Sequence, residues 1–281
     1  MYHICLFAPE GHPHALCFAE VALLLRHAFA DCGKDCTYAL NRLDPARTNV
    51  LLGCHFVDDE VQVDALRVVR YIPYQLEQLH ETEGVWGPRL EALLRGAAAV
   101  WDYCPENVAF LAGRGIEARL LPLGWHRALA RIPDLPEDRR DIDALFYGSM
   151  SPRRQQALEA IAGAGVRVHT AFGVYAADRD ALVARSRMVL NIHQYPMQIM
   201  ETVRLSYLFN NGVFVLSEDS PVNPYRDVGL AVAPYDRLAD ACRRFLDAPP
   251  SRLAAVRRAT RDAFRSSLPM AALLERVLAD P

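Results

Sequence analysis

Glu201 and the Arg153-Arg154 pair are the residues whose type and setting most suggest chemistry. Glu201 follows an apolar run, Met188 to His193, and a polar turn, and it opens a helical pattern that stops at Asn211-Gly212. A carboxylate there accepts two O–H hydrogen bonds from a ribose diol, while the free N–H groups of the helix start attract an anion. Arg153 and Arg154 follow Gly148-Ser149 and Pro152 at the start of another helix, where a guanidinium grips a diphosphate in bidentate fashion. His193, eight positions before Glu201, titrates near neutrality. Arg204, three positions after it, is its natural intrahelical ion-pair partner. Tyr175, ending Phe172-Gly173-Val174-Tyr175, offers an aromatic ring for stacking.

The first half carries a second set. In APEGHPHA, residues 8 to 15, Gly11 and two prolines turn the chain from a strand into a helix and bring His12 and His14 to the strand end. A neutral imidazole there takes the proton of an attacking hydroxyl, with His12 the first candidate, His14 the second and the strand-end Asp102 a possible partner. Gln75, Glu77 and Gln78 in YIPYQLEQL, together with Gly11 and His126, are candidates for hydrogen bonding to sugar hydroxyls.

These residues need a scaffold that gathers strand ends. Apolar runs at His3 to Ala8, Cys36 to Leu40, Val50 to Phe56, Val68 to Pro73, Ala98 to Tyr103 and Ala118 to Leu123 alternate with helical patterns at Leu16 to Ala30, Pro88 to Ala97 and Glu106 to Gly113. Alternation resumes with strands at Ile142 to Tyr147, Val166 to Thr170, Met188 to His193, Val213 to Ser217 and Leu230 to Ala233. Helices over Arg153 to Gly163, Arg179 to Ser186 and Leu238 to Leu246 lie among them. This pattern predicts an α/β protein of two doubly wound parallel sheets. Domains of 1–126 and 142–250 are expected, joined by the proline-containing, charged linker 127–141 and followed by a helical segment, 251–281. In that last segment Arg257, Arg261 and Arg265 form an i, i+4 stripe, read as a solvated face.

The segment NIHQYPMQIMETVRLSYLFNNGVFVLSE, residues 191 to 218, resembles the donor element of nucleotide-sugar glycosyltransferases with two Rossmann-like domains, the GT-B class. In that family a strand and a Glu-containing loop lead to a helix bearing a second Glu eight positions on. Glu201 matches the second Glu and His193 replaces the first. Residues 148 to 154 are similar to the family's G-R-x-x-x-x-K loop, with Ser149 for its arginine and Arg154 on its lysine. Gly11-His12 is similar to the G-H-x-x-P loop, with Ala15 in place of the proline. Within the class, the segment looks most like the CgeB-like proteins. The resemblance implies two Rossmann-like domains facing across a cleft, a nucleotide-sugar donor held by the second, an acceptor by the first, and transfer of the sugar to an acceptor hydroxyl. It implies no cofactor beyond the nucleotide-sugar. The same fold also serves non-catalytic binders and nucleotide-sugar epimerases.

Composition agrees with this class. A chain of 281 residues, 52% hydrophobic, supports one large core or two ordinary ones. A formal charge of −3 gives no general attraction to nucleic acid. Seven scattered cysteines suit reduced core thiols, and no leader or membrane-spanning run is apparent, so a cytoplasmic location is expected. Asp141-Ile142-Asp143 and Asp178-Arg179-Asp180 read as helix and strand boundaries rather than metal ligands, so no metal is expected.

Overall fold

The computed structural model describes residues 1–57, 60–81, 84–195 and 198–279. The chain divides into two compact units, Met1–Ala128 with Leu268–Pro281, and Leu129–Ser267.

In the first unit, strands β1 (Tyr2–Leu6), β2 (Cys36–Leu40), β3 (Thr48–Leu52), β4 (Tyr71–Gln75), β5 (Trp101–Asp102) and β6 (Arg119–Leu120) form one sheet. Its order is β2-β1-β3-β4-β5-β6, and every pairing is parallel. Helices α1 (Ala19–Asp31), α2 (Glu60–Arg67), α3 (Pro88–Arg95) and α4 (Pro105–Ala112) provide the crossovers. The inner strands β1, β3 and β4 are buried along almost their whole length, as parallel strands covered on both faces must be. One core packs Cys5, Phe7 and Leu51 against Leu90, Leu94 and Leu111.

The second unit runs β7 (Ile142–Tyr147), α5 (Pro152–Gly163), β8 (Val168–Ala171), α6 (Ala176–Ala184), β9 (Ser186–Asn191), α7 (Thr202–Asn210), β10 (Val215–Glu218), β11 (Ala231–Ala233), α8 (Leu238–Leu246) and α9 (Pro250–Ser267). Its sheet order is β11-β10-β9-β7-β8, again all parallel. Phe146, Met188, Leu190, Phe214 and Leu216 meet Leu158, Ile161, Leu238 and Cys242 in its core.

In both sheets the second strand in sequence lies outside the first and the third lies on its other side. The winding therefore reverses beside β1 in the first unit and beside β7 in the second. At such a reversal the helices leave on opposite faces and open a crevice beyond the carboxyl ends of the strands.

The expected 251–281 segment is shared between the two units. Helix α9 packs with the second unit, whereas α10 (Met270–Ala279) returns to α1 in the first. Gly124 admits this return, since a Cβ there would lie 2.3 Å from the Leu268 carbonyl oxygen. The segment expected as a linker also belongs to the second unit from Leu129 onward. Arg140, only 8% exposed, donates to the carbonyls of Ala184 at 3.1 Å and Ser186 at 2.9 Å. Arg257, expected on a solvated face, is buried and paired with Glu137. All seven cysteines are free of disulfides, and no helix among the described residues is long and apolar enough to cross a membrane.

Candidate functional site

The reversal in the second unit falls between β7 and β9, and the sequence-marked residues gather there. After β7 the chain passes Gly148 and the exposed Ser149 into α5, whose N-cap Ser151 accepts a hydrogen bond from the Arg154 backbone N–H. After β9 it passes His193 to Glu201, the N-cap residue of α7. Gly148 takes φ +128°, and a Cβ there would meet the Arg204 guanidinium at 2.6 Å. Glycine thus lets Arg204 lie against the loop from the α7 side.

Arg154 is the brace of this crevice. Its Nε donates to Ile192 O at 2.8 Å, and Nη1 donates to Ser149 O at 2.9 Å and to Gln194 Oε1 at 2.7 Å. Its Nη2 lies 3.5 Å from Glu201 Oε1. At 3% exposure it ties the β7 loop to the β9 loop instead of standing open to solvent. Burial, with Arg204 beside it, pulls the guanidinium down to about 10, still charged at neutral pH.

Glu201 has two unlike oxygens. Oε2 accepts from Asn191 Nδ2 at 2.9 Å and from His193 Nδ1 at 3.0 Å, which fills it. Oε1 has only the long contacts to Gln194 N, 3.3 Å, and Arg154. It is therefore the oxygen with capacity for one strong bond from a ligand, one fewer than a carboxylate with both oxygens open would offer.

His193 is fully buried, and its two ring nitrogens face acceptors, Glu201 Oε2 and Asp219 O, the latter at 3.1 Å. Only the imidazolium donates to both. Burial works against that charge, but the hydrogen bond to Glu201 and the charges of Glu201 and Glu218 outweigh it, and the His193 pKa is raised. Burial likewise opposes the Glu201 carboxylate, and His193, Arg204 and Arg154 overcome it, so its pKa is lowered. The position replacing the family's first acid is thus an internal cation locked to the second.

Three partners escaped the sequence reading. Asn191, at the end of β9, donates to Glu201 and to Ser217 Oγ while accepting from Arg204 Nη1 at 3.1 Å. Glu218, at the end of β10, accepts from Arg153 Nη1 at 2.7 Å and from the His193 backbone N–H at 3.1 Å. Tyr235 lies under the Arg153 guanidinium, 4.1 Å from it. Asn191 lies within the strand expected at Met188 to His193 and Glu218 directly follows the one expected at Val213 to Ser217, so the strand ends found in the structure, and not those read from sequence, mark them. Tyr175 caps α6 and is half-buried, whereas Phe172 in the same loop is 64% exposed.

In the first unit the reversal lies between β1 and β3. His12 and His14 are exposed on the β1 loop with Gly11, and the His12 ring sits 5.8 Å from Phe56 in the turn after β3. His55, which the sequence reading passed over, packs on Phe56 at 4.0 Å and on Phe18 at 6.0 Å. Burial lowers its pKa to about 4, leaving a neutral ring at pH 7.

The other first-unit candidates are placed differently from expectation. Asp102 ends β5, three strand spacings from β1 or roughly 14 Å, too far to partner His12 directly. It is fully buried and accepts from Cys104 N and Asn107 Nδ2. Gln75 ends β4 and Gln78 lies in the turn after it, both buried, and Glu77 between them is half-buried. His126 lies at the opposite edge of the sheet, because α1 runs back against β1 and ends there. Its Nε2 is 3.0 Å from Asp31 Oδ2, its Nδ1 accepts from Ala128 N, and its ring stacks on His27.

No protein-family profile matches the chain. It is 26% identical over 155 residues to an uncharacterized protein of Acanthamoeba polyphaga mimivirus, a match covering 52% of this chain and 50% of that protein. A second uncharacterized mimivirus protein is 30% identical over 105 residues, covering 35% of this chain and 12% of its relative. The chain thus spans no more than half the length of these relatives. Among solved structures it is similar to an alpha-glucosyltransferase in complex with UDP and a 13-mer DNA, with TM-score 0.60 and 10% identity, covering 99% of this chain and 98% of that one. It is also similar to the α,α-trehalose 6-phosphate synthase of Burkholderia multivorans, with TM-score 0.58 and 11% identity over 97% of this chain and 77% of the other. AviGT4, a glycosyltransferase involved in avilamycin A biosynthesis, gives 0.56 and 17% over 99% and 96%. At these identities the likeness is one of fold, and that fold is the two-sheet GT-B arrangement.

Proposed function

We propose that the chain is a glycosyltransferase whose second unit binds a nucleotide-sugar donor at the β7/β9 crevice. The observation that carries this is the convergence there of Arg153, Arg154, Arg204 and Glu201 on the starts of two helices. With His193 the crevice holds four cations against Glu201 and Glu218, an excess of two positive charges that complements a sugar-linked diphosphate. Arg204 and Arg153, both half-buried, are the guanidiniums assigned to the phosphates. Arg154 holds their frame, and the helix N–H groups add fixed positive potential. Glu201 Oε1 takes a ribose hydroxyl, and Phe172 supports the base. Charge developing on the departing diphosphate is neutralised by these side chains, so the reaction is proposed to need no metal. The acceptor binds the carboxyl edge of the first sheet, where His12 offers a hydrogen bond to its hydroxyl.

The test is calorimetric titration of UDP, GDP, CDP and ADP and their common sugars. One nucleotide series is expected to bind, and Glu201→Gln is expected to weaken it roughly 10-fold or more, as for a lost hydrogen bond to a charged group. If none binds at about 1 mM, the upper end of usual substrate constants, the donor site is disproved.

A further inference from the structure

Within the second unit, the residues around the carboxyl ends of β9 and β10 grip the two oxygens of Glu201 unequally. Asn191 and His193, both 0% exposed, supply the two donors on Oε2, at 2.9 and 3.0 Å. Each of those donors is itself held from another side. Asn191 Nδ2 also donates to Ser217 Oγ at 3.0 Å, while its Oδ1 accepts from Arg204 Nη1 at 3.1 Å. His193 Nε2 faces Asp219 O at 3.1 Å, and its backbone N–H donates to Glu218 Oε2 at 3.1 Å. Neither side chain can swing aside without giving up a second buried bond. Among the described residues, Oε1 receives only Gln194 N at 3.3 Å and Arg154 Nη2 at 3.5 Å, and the Glu201 side chain keeps 15% of its surface exposed. The carboxylate thus has one oxygen closed and one open. Neighbouring acceptors are engaged as well, since Glu218 takes Arg153 on both oxygens and Gln194 Oε1 takes Arg154 Nη1 at 2.7 Å.

An oxygen that carries two short hydrogen bonds has used both of its lone pairs. A third donor reaches it only by displacing one of the two, and a buried donor left unpaired costs more than one hydroxyl returns. The displacement is costlier still where the donor is an imidazolium. A vicinal diol presented to Glu201 therefore finds one acceptor oxygen and not two. We infer that the donor site reads a single ribose hydroxyl, through Glu201 Oε1, and that Asn191 and His193 are the positioning residues that set this by closing Oε2. This rests on the donor-site reading. The substrate class widens accordingly: a nucleotide-sugar whose pentose lacks the unread hydroxyl is admitted as readily as its ribose parent. Where the unread group is the 2′-hydroxyl, the class takes in the 2′-deoxyribonucleoside diphosphate sugars. A carboxylate with both oxygens open would discriminate against the loss of either hydroxyl.

The test uses the full chain at about pH 6, below the ordinary histidine value, where the His193 ring, its pKa raised, is charged. UDP, GDP, CDP and ADP are titrated calorimetrically beside their 2′-deoxy and 3′-deoxy counterparts. For the nucleotide that binds, one deoxy analogue is expected to match the parent within about twofold and the other to bind on the order of 10-fold or more weakly, as for a lost hydrogen bond to a charged group. Loss of affinity in both analogues means that the diol is read whole, and overturns the inference. Loss in neither takes Glu201 off the ribose and overturns it too, while the donor site still stands if Arg204→Ala weakens the parent. His193→Ala supplies an independent reading, because it frees a lone pair on Oε2. Removing a cation weakens every diphosphate alike, so the ratio between the parent and the tolerated analogue is the quantity that reports the opened oxygen. That ratio is expected to grow from about 1 to roughly 5-fold or more as the second hydroxyl gains a partner. An unchanged ratio in a folded His193→Ala protein overturns the assignment to His193. Should the variant not fold, the wild-type ratios decide. If no parent nucleotide binds, the inference and the donor-site reading fall together.

Discussion

The proton shared by His193 and Glu201 links stability to pH. The His193 pKa is raised above its ordinary 6.5, so its contribution is complete below about 6.5 and is lost as pH rises through the raised value. The Glu201 pKa is lowered from 4.5, so its contribution is present above about 4.5 and is lost as pH falls through the lowered value. Both are in force between those ordinary values. The stability difference between wild type and His193→Gln should therefore be largest near pH 5.5 and shrink toward pH 8.5 in urea unfolding. A difference that grows with pH would mean that His193 is buried neutral. Gly148 is a second residue-scale test: Gly148→Ala must strain φ +128° and displace the Arg204 guanidinium, at a cost of about 1–3 kcal/mol. Urea unfolding reads the stability loss. Nucleotide affinity should fall with it, because Arg204 moves.

At the scale of elements, α10 is a sharp case, since it completes a unit whose other elements end far earlier in sequence. Met270, Leu273, Leu274 and Val277 are buried on the first unit, each contributing about 1.5–3 kcal/mol. Their sum, on the order of 6 kcal/mol or more, rivals the whole stability of an ordinary domain. Removing residues 268–281 should leave the first unit unfolded by near-UV circular dichroism, and a native spectrum from the truncated chain would contradict this packing. The sequence could not show that contact, because helical periodicity marks α10 as amphipathic without saying which unit covers its apolar face. Within each unit the elements themselves were legible: β7 over Ile142–Tyr147, β2 over Cys36–Leu40 and α8 over Leu238–Leu246 are as the periodicity predicts. The candidate site was legible where its residues flank one strand and one helix, as Arg154, His193 and Glu201 do. It was not legible where sheet order decides. Asp102 ends β5 and His12 lies in the loop after β1, but β3 and β4 lie between those strands, and no local pattern encodes that order.

For the molecule as a whole, two units with separate cores make unfolding in one or two steps an open experimental variable. The three tryptophans, Trp86, Trp101 and Trp125, all belong to the first unit, so indole fluorescence reports that unit alone, while far-UV circular dichroism reports both. A ligand stabilises only the folded region that binds it, by about 2.7 kcal/mol at roughly 100 times its dissociation constant. If the nucleotide occupies the β7/β9 crevice, it should delay the part of the dichroism transition that fluorescence does not see and leave the fluorescence midpoint in place. Should the two probes coincide without ligand, the units unfold together and both midpoints should rise by the same amount. A nucleotide that moves the fluorescence transition and leaves the remainder of the dichroism change where it was would put the donor on the first sheet, and the charge argument built on Arg153, Arg154 and Arg204 would fall with it.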